Sequence, residues 1–385
     1  MKTLALIGYV IITFSSQSIW VTFSPISTYV SKELGVEVSL IGYLAVLYPT
    51  LFLILAIPSG LLLDRDLKTW LTFGAITTAL GGILRTVAPT SYTWLFICQL
   101  LAAIGQPFLL NGFVPFTSHL YPRKMSTVIS LLSLFMYLGT IFALASGLAI
   151  YKLSGLYGVI TIHALISAIG ITTFLAGHKA IQKTPSHQPY RISLREVIDK
   201  KDLWIIGGII GLGIAAFDNL ATWLQPALST VGLEEVAGTA VAIAIISGLI
   251  GVTFIPSLIA SKNYRTYYLR FAAFTAGVII STISISLSPI YIYLSLLIAG
   301  FLMIPAYPLL MDWIGKFHKK EIHGSASGFI GLLSRIISVI MLLIAPNFIN
   351  NAINYILFIS SLILVAFLIT LLLPNDKKIT STSQA

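Results

Sequence analysis

The sequence holds one cysteine, Cys98, so an intrachain disulfide framework is excluded and nothing follows about redox compartment. Charge is scarce: Asp, Glu, Lys and Arg make up 9% of the residues, against roughly a quarter in a soluble globular chain. No H-E-x-x-H pair, nucleophile elbow, phosphate-binding loop or metal-spaced Cys/His set occurs. The breaks between apolar runs are too short to house a soluble catalytic or nucleotide-hydrolysing domain. The chain therefore reads as no enzyme, without cofactor or metal, and any drive has to come from an ion gradient or from a solute's own gradient. The two-residue alternation that marks barrel strands is also missing.

What remains is apolar length. Hydrophobic residues are 57% of the chain and the mean hydropathy is +0.95. Crossing about 30 Å of hydrocarbon takes roughly 20 residues of helix, and the chain offers about twelve such runs. They lie at Leu4 to Ile26, Leu40 to Leu63, Trp70 to Ala88, Tyr92 to Val114, Thr127 to Tyr151 and Tyr157 to Ala176. The others are Leu203 to Leu228, Val236 to Ala260, Tyr267 to Leu287, Ile290 to Ile314, Ala326 to Phe348 and Ala352 to Leu373. The opening "MKTLALIGYVIITFSSQS" has the charged start and apolar core of a signal peptide. Because the run continues through Trp20, Phe23 and Ile26 with no small-residue cleavage pattern, it reads as a spanning helix instead. The expected fold is an all-α integral membrane bundle, since hydrocarbon admits only helices or closed barrels.

The one long polar interruption, "HKAIQKTPSHQPYRISLREVIDKKD", divides the chain into a half at 1–178, a linker at 179–202 and a half at 203–385. Within the linker, "SLREVIDKK" reads either as a short surface helix or as plain solvated chain. The halves echo one another: a proline-bearing span, a basic loop and a Ser/Gly-rich span appear around Pro115 to Ser133 and again around Pro308 to Ser334. A duplicated unit of this kind, with its solute site between the halves, is a carrier architecture. Net charge is +10, yet its distribution is topological. Lys2, Arg65, Lys68, Arg123, Lys124, Lys262, Arg265, Lys316 and Lys377 fall on one side, and Lys32 and Lys152 on the other. The basic side is expected to be cytoplasmic, with both termini there, in the cell (plasma) membrane. A nucleic-acid partner is not expected.

Two charges stand inside the runs. Asp218, in "FDNLATWLQP", lies about 22 to 24 Å along its span, and Arg335, in "LLSRI", about 15 Å along. A lone charge at such depth costs on the order of 2.5 to 3.5 kcal/mol on insertion scales, so each needs a partner, and each is the other's best one. The structural alternatives are an acid neutralised by protonation or held by Asn219 and Thr222, and an ion pair that only fixes helix register. Lesser expectations follow. Arg85 would snorkel to headgroups, and Asp312 would pair with Lys316 or with the loop at Arg123. His163 would be a proton relay or a hydrogen-bonded bystander, and Cys98 an apolar packing residue. Gly139, Gly147, Gly324, Gly328 and Gly331 would permit close helix contact, and "PAYP" would bend its span.

The loop "GLLLDRDLK", Gly60 to Lys68, resembles the G-x-L-x-D-R signature of the major facilitator superfamily. That resemblance implies the major-facilitator fold of twelve helices and a gating role for Asp64 and Arg65. The counterpart "PSLIASKNYR" lacks the acid. A closer resemblance, over about half the chain, is to the FLVCR (feline leukaemia virus receptor-type) branch. It runs through "SIWVTFSPISTYVSKELGVEVSLIGYLAVLYP", "CQLLAAIGQPFLLNG", "GLGIAAFDNLATWLQPALSTVGLEE" and "YPLLMDW" with "GSASGFIGLLSRI". It implies choline-like or ethanolamine-like solutes and a substrate site at Trp20 and Gln106. Asp218 and Arg335 stand where the branch carries a cage tyrosine and a glutamine, so the pocket gains two opposite charges.

The expected function is secondary active transport of a small organic solute by alternating access, as symporter or uniporter, with a cationic or polar amphipathic substrate and protons as candidate coupling ion. The alternatives are an anion carrier centred on Arg335, a multidrug-type exporter, or a channel. The bilayer and the solute are the expected partners, and the chain is expected to be a monomer.

Overall fold

The computed structural model describes residues 1–181, 197–318 and 323–376, without the side chains of Asp64, Met125, Ser126 and residues 323–325. Contacts divide the chain into two compact units, Met1–Pro189 and Tyr190–Ala385. The first contains α1 (Lys2–Trp20), α2 (Ser27–Leu34), α3 (Val38–Arg65), α4 (Leu67–Leu84), α5 (Tyr92–Asn111), α6 (Phe113–Leu120) and α7 (Met125–Gly177). The second contains α8 (Lys201–Ser229), α9 (Val236–Ser261), α10 (Arg265–Thr282), α11 (Pro289–Met303), α12 (Ala306–Phe317), α13 (His323–Ile344) and α14 (Ala352–Thr370). The described residues contain no strand.

Among the described residues ten stretches are long and apolar enough to cross a membrane. One of them, Thr127–Ala180, has 54 residues, about 80 Å of helix, more than twice a hydrocarbon core. Within it Gly155 has φ 65° and ψ −170°, a conformation that only glycine adopts without strain, and the helix axis breaks there. Helix α10 carries Arg265 and Arg270 in 18 residues and is not among the ten. Large apolar side chains such as Phe254, Leu258 and Phe271 point outward, as hydrocarbon requires of a bundle's perimeter.

Capping and proline set the helix ends. Asp66, Ser91, Ser288 and Asn351 each accept a bond from the backbone N–H three residues on, satisfying a donor that a helix start would leave bare. The first span, expected at Leu4 to Ile26, falls within a candidate span at Lys2–Leu34, which is interrupted rather than one continuous helix. Pro25 has no N–H and its ring excludes the carbonyl of Val21, so α1 stops at Trp20 and helix resumes at Ser27 after a 3-10 turn. Pro305 likewise sits where α11 gives way to α12, dividing the span expected at Ile290 to Ile314.

Close approach of α1 to α7 depends on glycine. A β-carbon on Gly139 would lie 2.2 Å from the Phe14 carbonyl oxygen, and one on Gly147 2.7 Å from the Pro25 ring. By contrast Gly328 and Gly331 face open space, so the expectation that they permit close contact is corrected. Gly139→Val is expected to destabilise by about 1 to 3 kcal/mol through overpacking, read as a lower unfolding midpoint of detergent-purified protein. Gly331→Val should leave that midpoint in place.

Candidate functional site

The C-terminal unit brings its two intramembrane charges together. Helices α8 and α13 run side by side in the same direction, joined at three levels. Ser334 Oγ donates to the Gly207 carbonyl at 3.3 Å, the charge pair lies next, and Trp223 Nε1 donates to the Leu342 carbonyl at 3.2 Å. Gly207 and Gly211 allow the approach, because a β-carbon at Gly211 would lie 2.7 Å from Ile337 Cδ1. Between those levels Arg335 Nη1 donates to Asp218 Oδ2 at 3.1 Å, and Ser338 Oγ donates to the same oxygen at 2.6 Å. The side chain of Asp218 is 3% exposed and that of Arg335 is 27% exposed. The acid is therefore enclosed while the arginine side chain is partly accessible.

The expected hold of Asn219 and Thr222 on Asp218 is not found. Asn219 Nδ2 donates to the Ala215 carbonyl at 2.8 Å, and the Asn219 carbonyl accepts from Tyr355 at 2.8 Å. The Thr222 hydroxyl and Asn219 Oδ1 are buried without a hydrogen-bond partner. Neither residue holds the acid. Ser338 escaped the sequence reading, although it stands three residues after Arg335 and therefore on the same helix face.

In the N-terminal unit Trp20 is 8% exposed and closes α1, with its indole N–H donating to the Ala45 carbonyl on α3 at 3.1 Å. Gln106 is buried on α5 beside Pro107. Arg85 does not snorkel. It is fully buried at the end of α4, where it donates to Gln99, Thr22 and the Ile19 carbonyl, and lies 5.3 Å from the Phe23 ring centroid. The inward turn puts the guanidinium against the carbonyl end of the broken α1, where the Ile19 carbonyl also accepts from Thr22. His163 is also fully buried, with Nδ1 2.7 Å from the Val159 carbonyl and Nε2 without a partner. Cys98 is buried.

The other sequence-predicted positions divide. Arg65 is exposed at the end of α3, while the Asp64 side chain lies outside the described residues. The acid that caps α4 is Asp66, which accepts from Thr69 N at 3.2 Å and from Thr69 Oγ1 at 2.7 Å. Asp312 does not pair with Lys316. It binds Arg265, whose Nε donates to Asp312 Oδ2 at 2.7 Å, while Lys316 reaches Asn263. Arg265 also meets Asp376 at 3.3 Å, so the loop "SKNYR", short of an acid in its own sequence, takes two from elsewhere. Of "SLREVIDKK", read from sequence as a short surface helix or plain solvated chain, residues 193–196 lie outside the described residues, Val197 and Ile198 are helical and the chain turns at Asp199. No group of three or more His, Cys, Asp or Glu suited to a metal exists among the described residues.

Comparison with known proteins agrees with the helical architecture. Solute carrier family 49 member A3 of Danio rerio is 24% identical over 271 residues, covering 65% of this chain and 57% of its own length. The chain thus matches little more than half of that relative. An Archaeoglobus fulgidus protein is 26% identical over 181 residues, 47% of this chain and 83% of its own length. A nucleoside transporter shares the fold with a TM-score of 0.76 at 14% identity, covering 96% of this chain and 99% of that one. A bacterial homologue of the human lysosomal transporter Spinster gives 0.78 at 12%, covering 96% of each chain. A POT family transporter in complex with 5-aminolevulinic acid gives 0.78 at 14%, covering 98% of this chain and 96% of that one. The profile of the Major Facilitator Superfamily matches residues 6–342, most of the chain, and the protein is a multi-pass membrane transporter belonging to that superfamily.

Proposed function

We propose that this chain is a secondary transporter of about twelve crossings, with the break at Gly155 separating two of them, working by alternating access in the plasma membrane with both termini cytoplasmic. Its solute is a small organic cation or polar amphipath of the alkanolamine kind, and Asp218 is the countercharge. The observation that carries this reading is the enclosed Asp218 carboxylate, whose Oδ2 takes both Arg335 and Ser338. A carboxylate in low dielectric must be neutralised. When its contact with Arg335 loosens, a solute cation or a proton takes over that neutralisation, which links occupancy to the conformation of α8 against α13. In the N-terminal unit Trp20 supplies an aromatic face of the kind that attracts an ammonium group.

The resemblance to the FLVCR branch supports choline-like and ethanolamine-like solutes as first probes, and the similarity to a solute carrier supports transport of a solute. The test is uptake of labelled choline and ethanolamine into proteoliposomes, with and without an inward proton gradient. Wild-type uptake is expected to respond to the gradient, and Asp218→Asn to have lost that response. A wild type indifferent to the gradient would exclude proton coupling, and a response intact in Asp218→Asn would move coupling to another residue.

A second reading rests on the partial exposure of the Arg335 side chain, 27%, since a guanidinium suits a solute carboxylate. Competition decides between the two: inhibition by monocarboxylates without inhibition by organic cations establishes the anion carrier.

A further inference from the structure

The broken end of α1 poses a question that the solute site does not answer. A helix C-terminus leaves carbonyl groups without intrahelical partners, and inside a packed unit water is not at hand to take them. Here α1 ends at Trp20, with Ile19, Trp20, Val21 and Thr22 all buried. The Ile19 carbonyl accepts from the Thr22 backbone N–H at 3.3 Å and from Thr22 Oγ1 at 3.1 Å, and the Val21 carbonyl from the Ser24 N–H at 3.1 Å, while two side chains from other helices reach the Ile19 and Trp20 carbonyls. Gln99 Nε2, on α5, lies 3.3 Å from the Ile19 carbonyl and 3.3 Å from the Trp20 carbonyl. Arg85 Nη2, at the end of α4, lies 3.4 Å from the Ile19 carbonyl, and its Nη1 lies 3.2 Å from Thr22 Oγ1. Arg85 also donates to Gln99 Oε1, which fixes the amide so that its N–H groups face α1.

A fully buried arginine demands an explanation. No acid forms a salt bridge with it among the described residues, and its Nε has no partner. Its charge faces the negative end of the α1 dipole and the Phe23 ring, and it also interacts with the buried Tyr48 and Cys98. Trp20 is thereby clamped twice, through its backbone carbonyl by Gln99 and through its indole N–H by Ala45 of α3.

We propose that Arg85 and Gln99 are positioning residues for Trp20, a buried cap that holds the interrupted α1 and so sets the plane of the indole toward an organic cation. The inference rests on the reading of Trp20 as a solute contact. Arg85 acts through Gln99, and neither residue touches the solute. A cap that merely stabilised the fold would lower the unfolding temperature and leave cation affinity of the folded protein unchanged. A positioning cap alters affinity in protein that remains folded.

The experiment measures tetramethylammonium binding to detergent-purified protein by tryptophan fluorescence, together with choline uptake in proteoliposomes. The variants are Trp20→Phe, Arg85→Lys, Arg85→Gln and Gln99→Met, each first shown to be monodisperse. Trp20→Phe is expected to remove most of the fluorescence response. Gln99→Met and Arg85→Gln are expected to weaken tetramethylammonium binding and raise the KM for choline about tenfold, within the range of a lost cation–π contact, with the maximal rate kept within about twofold. Arg85→Lys, which retains a charge but not the fork, should fall between them and wild type. If Arg85→Gln fails to fold, Gln99→Met, which keeps the cation and removes both amide donors, carries the test alone. A wild type that binds tetramethylammonium through Trp20, with Gln99→Met binding equally well, overturns the positioning role and leaves Trp20 in place. Binding that survives Trp20→Phe, or none in wild type, overturns the reading of Trp20 and the positioning role with it.

Discussion

Asp218→Ala is expected to abolish transport and to destabilise the C-terminal unit by about 3 kcal/mol, toward the low end of the cost of breaking a buried ion pair. The low end applies because Arg335 is 27% exposed and keeps some access to polar surroundings. The partner substitution, Arg335→Leu, is expected to cost less, and the asymmetry is chemical. An orphaned carboxyl group can take up a proton and become neutral, whereas a guanidinium cannot lose one in a protein. Ser338 supplies part of the difference: after Arg335→Leu its hydroxyl, 2.6 Å from Oδ2, still serves the acid, whereas Asp218→Ala takes the carboxylate away from Arg335. Removing both charges, Asp218→Leu with Arg335→Leu, should recover most of the stability, since an apolar pair of similar volume is often neutral or better. Transport should not return. Thermal unfolding in detergent and choline uptake, measured on the same preparations, check the ranking. Equal losses in the two single variants would show that protonation of Asp218 does not relieve it, and uptake in the double variant would remove the charges from the transport cycle.

The pairing of Asp218 with Arg335 was legible in the sequence because charge inside an apolar run has so few ways to be satisfied that the partner is almost forced. Ser338 was not, since serine occurs throughout these spans and only side-chain direction tells which one meets an acid. Arg85 shows the reverse failure. Its place near the end of a run suited snorkelling, and what turned it inward was the break in α1, a consequence of Pro25 that hydropathy alone passed over. Asp312 was misassigned for a third reason. A neighbour one helical turn away, Lys316, was visible, while Arg265, 47 residues away, was not. Periodicity reports which residues lie within a turn of one another, and tertiary packing decides which charges meet across helices. The interruptions in the first and tenth spans follow the same division, for prolines mark where a helix can stop without specifying what receives the freed carbonyls.

Arg265→Leu is expected to be the most destabilising single change at the membrane-proximal end of the C-terminal unit, costing about 3 to 5 kcal/mol. Arg265 opens α10 and joins it to α12 and to the chain after α14. Its Nε donates to Asp312 Oδ2 at 2.7 Å, its Nη1 to Asp376 Oδ2 at 3.3 Å, and its backbone N–H to the same oxygen at 3.0 Å. The Arg265 side chain is 4% exposed, that of Asp376 is fully buried and that of Asp312 is 48% exposed. Burial therefore ranks the partners. Asp376 also accepts from Thr266 Oγ1 at 3.2 Å, so its carboxylate meets two side chains and a helix start, where the positive end of the dipole favours it. Asp376→Ala strips all of these at once and is expected to cost about 2 to 3 kcal/mol, whereas Asp312→Ala removes a half-solvated acid and is expected to cost less than about 1 kcal/mol. Arg265→Lys keeps the charge and loses the fork that reaches both acids, so it should lie between wild type and Arg265→Leu. Unfolding midpoints of the four variants in one detergent give the order directly. Should Asp312→Ala prove as damaging as Asp376→Ala, the network would be held by its exposed arm, and burial at the start of α10 would not be what fastens the three segments together.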